Sequence, residues 1–293
     1  MNPALHVASW TVREAIRRKL VVGLFMLSVV YIGLFALGFR LLYERVSESI
    51  SPTSLEDILA ANILTVLGLY AVQFLAAFLA LFLAVGSISA EIDSGMLHAV
   101  LSRPITRAQY LFGRWLAFVG LLVTYIVVMA SSLMVIARLV AGYQPVGFAR
   151  ALGMLSLQVV LLVTVGLFGS TMLSTMANGV ITFSLFGLAW LGGLIEFIGI
   201  GVRNEGMANI GTAVSLIFPS DALWRGASYY VQSSAFLAQT SAFGQFTGGI
   251  PFAANQPPTL RLLLWTLGYL VLIQGLARAP DSFRKAWMPP TGT

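Results

Sequence analysis

Residues 151–195 read ALGMLSLQVVLLVTVGLFGSTMLSTMANGVITFSLFGLAWLGGLI, 45 positions without a charged side chain. As one helix the run would extend roughly 68 Å, about twice the ~30 Å hydrocarbon layer of a bilayer. It must therefore fold back inside a membrane, and the small, polar stretch Ser174-Thr175-Met176-Ala177-Asn178-Gly179 is the natural turn. Outward from this pair, further charge-free runs occur at Leu20–Phe39, Ile58–Ala90, Trp115–Ala137 and Leu262–Ala277. Six crossings result, with spans at about 20–42, 58–90, 108–137, 151–174, 179–200 and 260–278 of a single domain covering 1–293. The second run, 33 residues long, exceeds one bilayer, so one end should continue into water as helix.

The composition agrees. Of 293 residues 58% are hydrophobic and 10% charged, against about a quarter charged in a soluble domain. The expected fold is an all-α polytopic membrane protein. The net charge of +6 does not indicate nucleic acid, because no basic run exceeds Arg17-Arg18-Lys19. It indicates topology instead. With the N-terminus inside, the inner segments carry ten cations against four acids, while the outer segments cancel. Both termini are expected in the cytoplasm.

Asn2 and Pro3 form a helix start, and Leu5, Ala8, Val12 and Ile16 then recur on one face. This predicts an amphipathic elbow in the interface plane, with Trp10 at headgroup level and Arg13, Arg17 and Arg18 toward anionic lipid. Between spans two and three, Asp93 or Ser94 can cap a short helix whose Met96, Leu97, Val100 and Leu101 share a face, and Pro104 ends it. A second helix follows at once, opened by the capping box Thr106-Arg-Ala-Gln109 with Ile105 and Tyr110 as its staple. A short apolar-faced helix held between two breaks on the cytoplasmic side suits a lever moved by a soluble partner. The plainer alternative is a helix lying on lipid.

The order of a basic elbow, a long second span and Glu91…Ser94-Gly95-x-Leu97…Leu101-x-Arg103-Pro104-Ile105-x-Arg107-x-x-Tyr110-x-x-Gly113-Arg114 resembles the ABC-2 type permeases, the membrane subunits of one class of ATP-binding-cassette exporter. The motif covers about 24 residues, and the architecture nearly the whole chain. Phe218-Pro-Ser-Asp-Ala-Leu-Trp224 is similar to members related to the permease of the nitrous-oxide-reductase maturation system. The resemblance implies six spans per subunit, a second permease subunit, a separate ABC ATPase, and a bacterial inner membrane. It further implies that Glu91, Asp93, Gly95, Met96, Leu97, Leu101, Arg103, Pro104 and Arg107 form the coupling region that docks on the ATPase.

The outer loop from about Gly201 to Leu260 is too long for a plain connector. Ile210–Phe218 ends at Pro219, and Ser220 can cap a helix through Leu223, Trp224, Ala227, Tyr230 and Val231. These are expected as re-entrant or interfacial helices over the outer end of a path, or as packing elements.

Several chemistries are excluded. Neither Lys19 nor Lys285 sits in a phosphate-binding G-x-x-x-x-G-K-[ST] loop, so this chain is not itself the ATPase. No cysteine is present, His6 and His98 have no partner histidine at ligand spacing, and no G-x-S-x-G elbow occurs. No metal or other cofactor is implied. The span interiors hold no ionisable residue, which disfavours an ion-driven carrier. Gln73, Gln158 and Glu196 are the candidates for the path, with interhelical hydrogen bonding the commoner use of such glutamines, and Arg203 the expected partner of Glu196. A charge-poor interior favours apolar, amphipathic or small neutral cargo. The rival to a permease is a membrane scaffold or assembly factor that conducts nothing.

Overall fold

The computed structural model describes residues 3–48, 55–89, 106–243, 253–254 and 256–278. Among them every regular element is a helix: α1 Pro3–Arg17, α2 Lys19–Glu48, α3 Leu55–Ala84, α4 Arg107–Ala141, α5 Phe148–Met172, α6 Thr175–Gly201, α7 Glu205–Ile217, α8 Ser220–Val231, α9 Ser234–Phe243 and α10 Leu260–Arg278. Hydrocarbon leaves backbone groups no water to bond, so helices that satisfy themselves are what these runs can form. Five of them (α2 to α6) are long and apolar enough to cross a membrane, and α10 is a shorter apolar helix.

The turn expected near Ser174–Gly179 lies at its first residue. Leu173 leaves the helical region, and Ser174 caps α6 by accepting from the Ala177 amide. The Thr106–Gln109 capping box is formed in both directions and opens α4, which closes 35 residues later at Gly142 in the left-handed region (φ 63°). At about 53 Å, α4 overruns the hydrocarbon layer. The second run behaves differently from a single continuous helix through Ala90. Helix α3 stops at Ala84 and the chain turns through Val85–Ile88, because Asn178 donates to the Val85 carbonyl and Ser170 Oγ accepts from the Ile88 amide.

Helices α3 and α5 form the centre, packed by α4, α6, α8 and α10 around buried Leu69, Leu79, Leu122, Leu155, Leu162 and Trp224. In contrast, α2 has only 11% of its most apolar window buried, against 67% for α5, so its outward face meets lipid or another subunit.

Helix α1 lies against α4 by a different side from its apolar strip. Ala4, Val7, Thr11 and Ala15 are buried, while Leu5 and Ile16 are exposed. The reason is the closeness of the two backbones. A Cβ at Gly113 would stand 2.6 Å from the Ala4 carbonyl oxygen and 2.8 Å from Val7 Cβ, so only the small-residue face of α1 fits.

Helix α7 runs antiparallel along α6, with Gly192, Gly199 and Gly211 at the crossing. A Cβ at Gly192 would meet Val214 at 2.8 Å, and one at Gly199 would meet Ala208 Cα at 2.9 Å. At roughly 20 Å, α7 is too short to span. Ser220 does not cap α8 as expected. It is the first helical residue, with Pro219 in the cap position and Asp221 in the first turn, where a carboxylate favours the helix dipole. Helix α9, capped through Ser233 Oγ, is an addition to the sequence reading.

Candidate functional site

Three arrangements stand out along the bundle. At the end of the bundle that carries α1, Arg114 is 2% exposed in the second turn of α4. Its guanidinium donates to the Ser87 carbonyl, reaches Glu14 Oε2 of α1 at 3.2 Å, and lies 5.3 Å from the Tyr110 ring centroid. Glu14 also receives Arg18 at 2.8 Å. Burial pushes the Glu14 carboxyl up, but Arg18 and Arg114 outweigh it and hold the carboxyl below its ordinary value. Asn178 makes a second tie: its Nδ2 donates to the carbonyls of Val85 and Gly166 at 2.8 Å each, and its Oδ1 accepts from Thr182 at 3.1 Å. Ser89 and Thr175 hydroxyls meet at 2.7 Å. The chain on either side of residues 90–105 is thus fastened, before it to the α5–α6 turn and after it to α1.

In the middle, α3 and α6 face each other through aromatic rings. Phe78 stacks on Phe183 at 6.0 Å, Phe74 meets Phe186 edge-on at 5.6 Å, Trp190 Nε1 donates to the Tyr70 hydroxyl, and Tyr70 lies 5.1 Å from Trp224 of α8. Gln73, one residue from Phe74, does not share this seam. It accepts at 2.9 Å from Gln158 Nε2 of α5, and both side chains are buried.

At the opposite end, Glu196 near the end of α6 pairs with Arg225 of α8 at 2.6 Å, not with Arg203, which is exposed at φ 55° in the turn after α6. Arg225 Nε also lies 3.0 Å from Asp221 Oδ2, an ion pair without hydrogen-bond alignment. Asp221 sits so close to α6 that a Cβ at Gly193 would fall on its carboxylate. Burial, reinforced by Glu196 and opposed by Arg225, pushes its pKa up to about 6. Glu196, Arg225, Ser215, Arg261 and Trp265 border a cavity of about 520 Å³ between α6, α7, α8 and α10. Ser215 Oγ is buried there without a hydrogen-bond partner among the described residues.

The sequence matches the model of the ABC-2 family transporter proteins over residues 5–278. The chain belongs to that family. It is therefore a permease subunit of an ABC transporter, a multi-pass membrane protein whose ATP hydrolysis belongs to a partner ABC ATPase. No curated protein matches it. Of the residues singled out in this ABC-2 permease, Glu91, Asp93, Gly95, Met96, Leu97, Leu101, Arg103 and Pro104 lie outside the described residues, and Arg107 is the first residue of α4. Trp10, Arg13 and Arg17 are exposed on α1, and Arg18 turns to Glu14. The aromatic seam escaped the sequence reading, although Tyr70, Phe74 and Phe78 at every fourth position, with Phe183, Phe186 and Trp190 on the other strip, carry a helical periodicity that could have marked it.

Proposed function

We propose that this chain is a half-permease of an ATP-driven exporter. It is a single domain of six spans with both termini in the cytoplasm, and it pairs with a second permease subunit. The sixth span is α10, whose roughly 28 Å length nearly matches the hydrocarbon layer, with Arg261 and Arg278 at its two ends. The exposed apolar face of α2 supports a place against lipid or the second subunit. The docking surface for the ATPase is Glu91–Arg107, with Leu97 and Leu101 on its apolar face and Arg103 and Arg107 as its cations.

The observation that carries this reading is the joint at Arg114. A displacement of residues 90–105 pulls on Ser87 at one side and on Arg114 at the other, and Arg114 holds Glu14 of the elbow. Three helices are thereby moved by one segment. The cargo path runs beside the α3–α6 aromatic seam, whose rings suit apolar or amphipathic molecules. The Gln73–Gln158 pair braces α3 against α5 behind it. Helices α7 and α8 cover the outer end, with the Glu196–Arg225 pair fastening α8 to α6.

Gentle-detergent purification of the tagged protein from its native host, followed by mass spectrometry, tests the reading. An ABC ATPase should accompany the permease in equal stoichiometry. Gly95→Pro or Leu101→Asp should abolish that association while membrane insertion is unchanged. A surviving complex without an ATPase returns the protein to a scaffold role, and retained association in both variants removes the docking surface.

A further inference from the structure

The expected lipid-facing strip of α1 borders a groove. Ala8, Ser9, Val12 and Ile16 line a cavity of about 580 Å³, closed on its other sides by Phe25, Ser28 and Ile32 of α2 and by Leu116, Gly120, Thr124 and Tyr125 of α4. Ser9, Ile16 and Val29 are exposed, so the cavity reaches the surface of the bundle.

Its volume corresponds to about 20 water molecules at ~30 Å³ each. Water has little to bind there, because most of the wall is apolar and its few hydroxyls already give their protons to protein acceptors. Ser9 Oγ donates to the His6 carbonyl at 2.9 Å, and Thr124 Oγ1 donates to the Gly120 carbonyl at 2.8 Å. Ser28 Oγ donates to the Leu24 carbonyl at 2.7 Å, and the Tyr125 hydroxyl meets Ser28 Oγ at 2.6 Å. An apolar space of this kind stays dry and takes hydrocarbon. Two cations of α1 adjoin its lining residues along the helix. Arg13 lies one helical turn from Ser9, Ile16 and Arg17, and both arginines are exposed.

We infer that this groove is a binding site for an anionic phospholipid, with one acyl chain between α1, α2 and α4 and the phosphate against Arg13 and Arg17. The site shares no residue with the proposed ATPase surface or cargo path. It holds whichever way the chain crosses the membrane, so its test is independent of transport.

Gly120 provides the test. A Cβ there meets nothing within 4 Å, so Gly120→Leu enters open groove and also favours the helix. Thr124→Leu is a second plug from an exposed position on the same face. The full-length protein is released from nanodiscs of equal phosphatidylglycerol and phosphatidylcholine into a native mass spectrometer, which counts bound lipids and subunits together. The wild type should retain phosphatidylglycerol at least several-fold over phosphatidylcholine. Arg13→Gln and Arg17→Gln should each lower that preference about five-fold, the effect of one basic side chain near an anionic surface. Both plugs should eject the lipid without lowering the thermal midpoint. Equal retention of the two lipids, or retention in both plugged variants, overturns the site. If the plugs instead shift dimer toward monomer and leave the lipid count unchanged, a second copy covers the groove and the lipid assignment is wrong.

Discussion

Asp221→Asn should stabilise this protein at neutral pH and remove a slope from its pH dependence. Asp221 is 5% exposed, lies outside the spanning helices, and shares Arg225 with Glu196, so one guanidinium faces two carboxylates. Its folded-state pKa is about 6, against 3.8 for the ordinary group. Between those values the folded protein keeps a proton that the unfolded chain has released, so stability falls as pH rises through the window. The penalty is complete above pH 6 and absent below about pH 4. A shift of about two units at 1.36 kcal/mol each amounts to about 3 kcal/mol as an upper bound. Asparagine has the shape of the neutral acid and carries none of this. At pH 7.5 the variant should therefore melt on the order of 6 °C above the wild type, at about 2 °C per kcal/mol for a chain of this size. The two should converge near pH 4. Intrinsic tryptophan fluorescence on the detergent-solubilised protein, scanned from pH 4 to 7.5, gives the difference curve. A variant that melts below the wild type at pH 7.5 would show that the Arg225 ion pair outweighs desolvation, and the argument fails.

Two other predictions concern the bundle interior. Asn178→Leu deprives the Val85 and Gly166 carbonyls of their donors and should cost about 1–3 kcal/mol, at roughly 0.6–1.7 per buried bond in a membrane; an unchanged thermal midpoint would remove Asn178 as the tie at the end of α3. Gln73→Leu and Gln158→Leu should each destabilise by leaving the other amide unpaired, whereas the double variant should be no less stable than either single one. A double variant showing the sum of both losses in a thermal cycle would place the two glutamines against something other than each other.

Much of the fold was open to a reader of the sequence because a bilayer narrows the choices. Forty-five uncharged residues cannot be one span, and the only small, polar interruption is where α5 gives way to α6. The capping box at Thr106–Gln109 was equally readable, since it is a local pattern that needs no tertiary partner. What escaped depended on which helices meet. The apolar strip of α1 was expected on lipid, and nothing local showed that the close approach at Gly113 would bury Ala4, Val7 and Ala15 on another side of the helix. Glu196 found Arg225, 29 residues on, instead of nearby Arg203, because α7 doubles back and α8 returns beside α6. The seam of Phe74, Phe78, Phe183 and Phe186 joins helices about a hundred residues apart, and period alone cannot say which strip faces which.

The fastening of α1 also sets an order of assembly. Glu14 is separated from Arg114 by 100 residues, which a ribosome takes on the order of 5–20 s to add. Throughout that interval α1 lacks the α4 surface that covers Ala4, Val7 and Ala15, and its amphipathic face has only lipid to settle on. The opposite end closes later still: Asn62 Oδ1 accepts the Ser233 amide across 171 residues, so α3 waits through most of synthesis for that contact. The elbow, ahead of the other described helices in the chain, is seated only once α4 has been made.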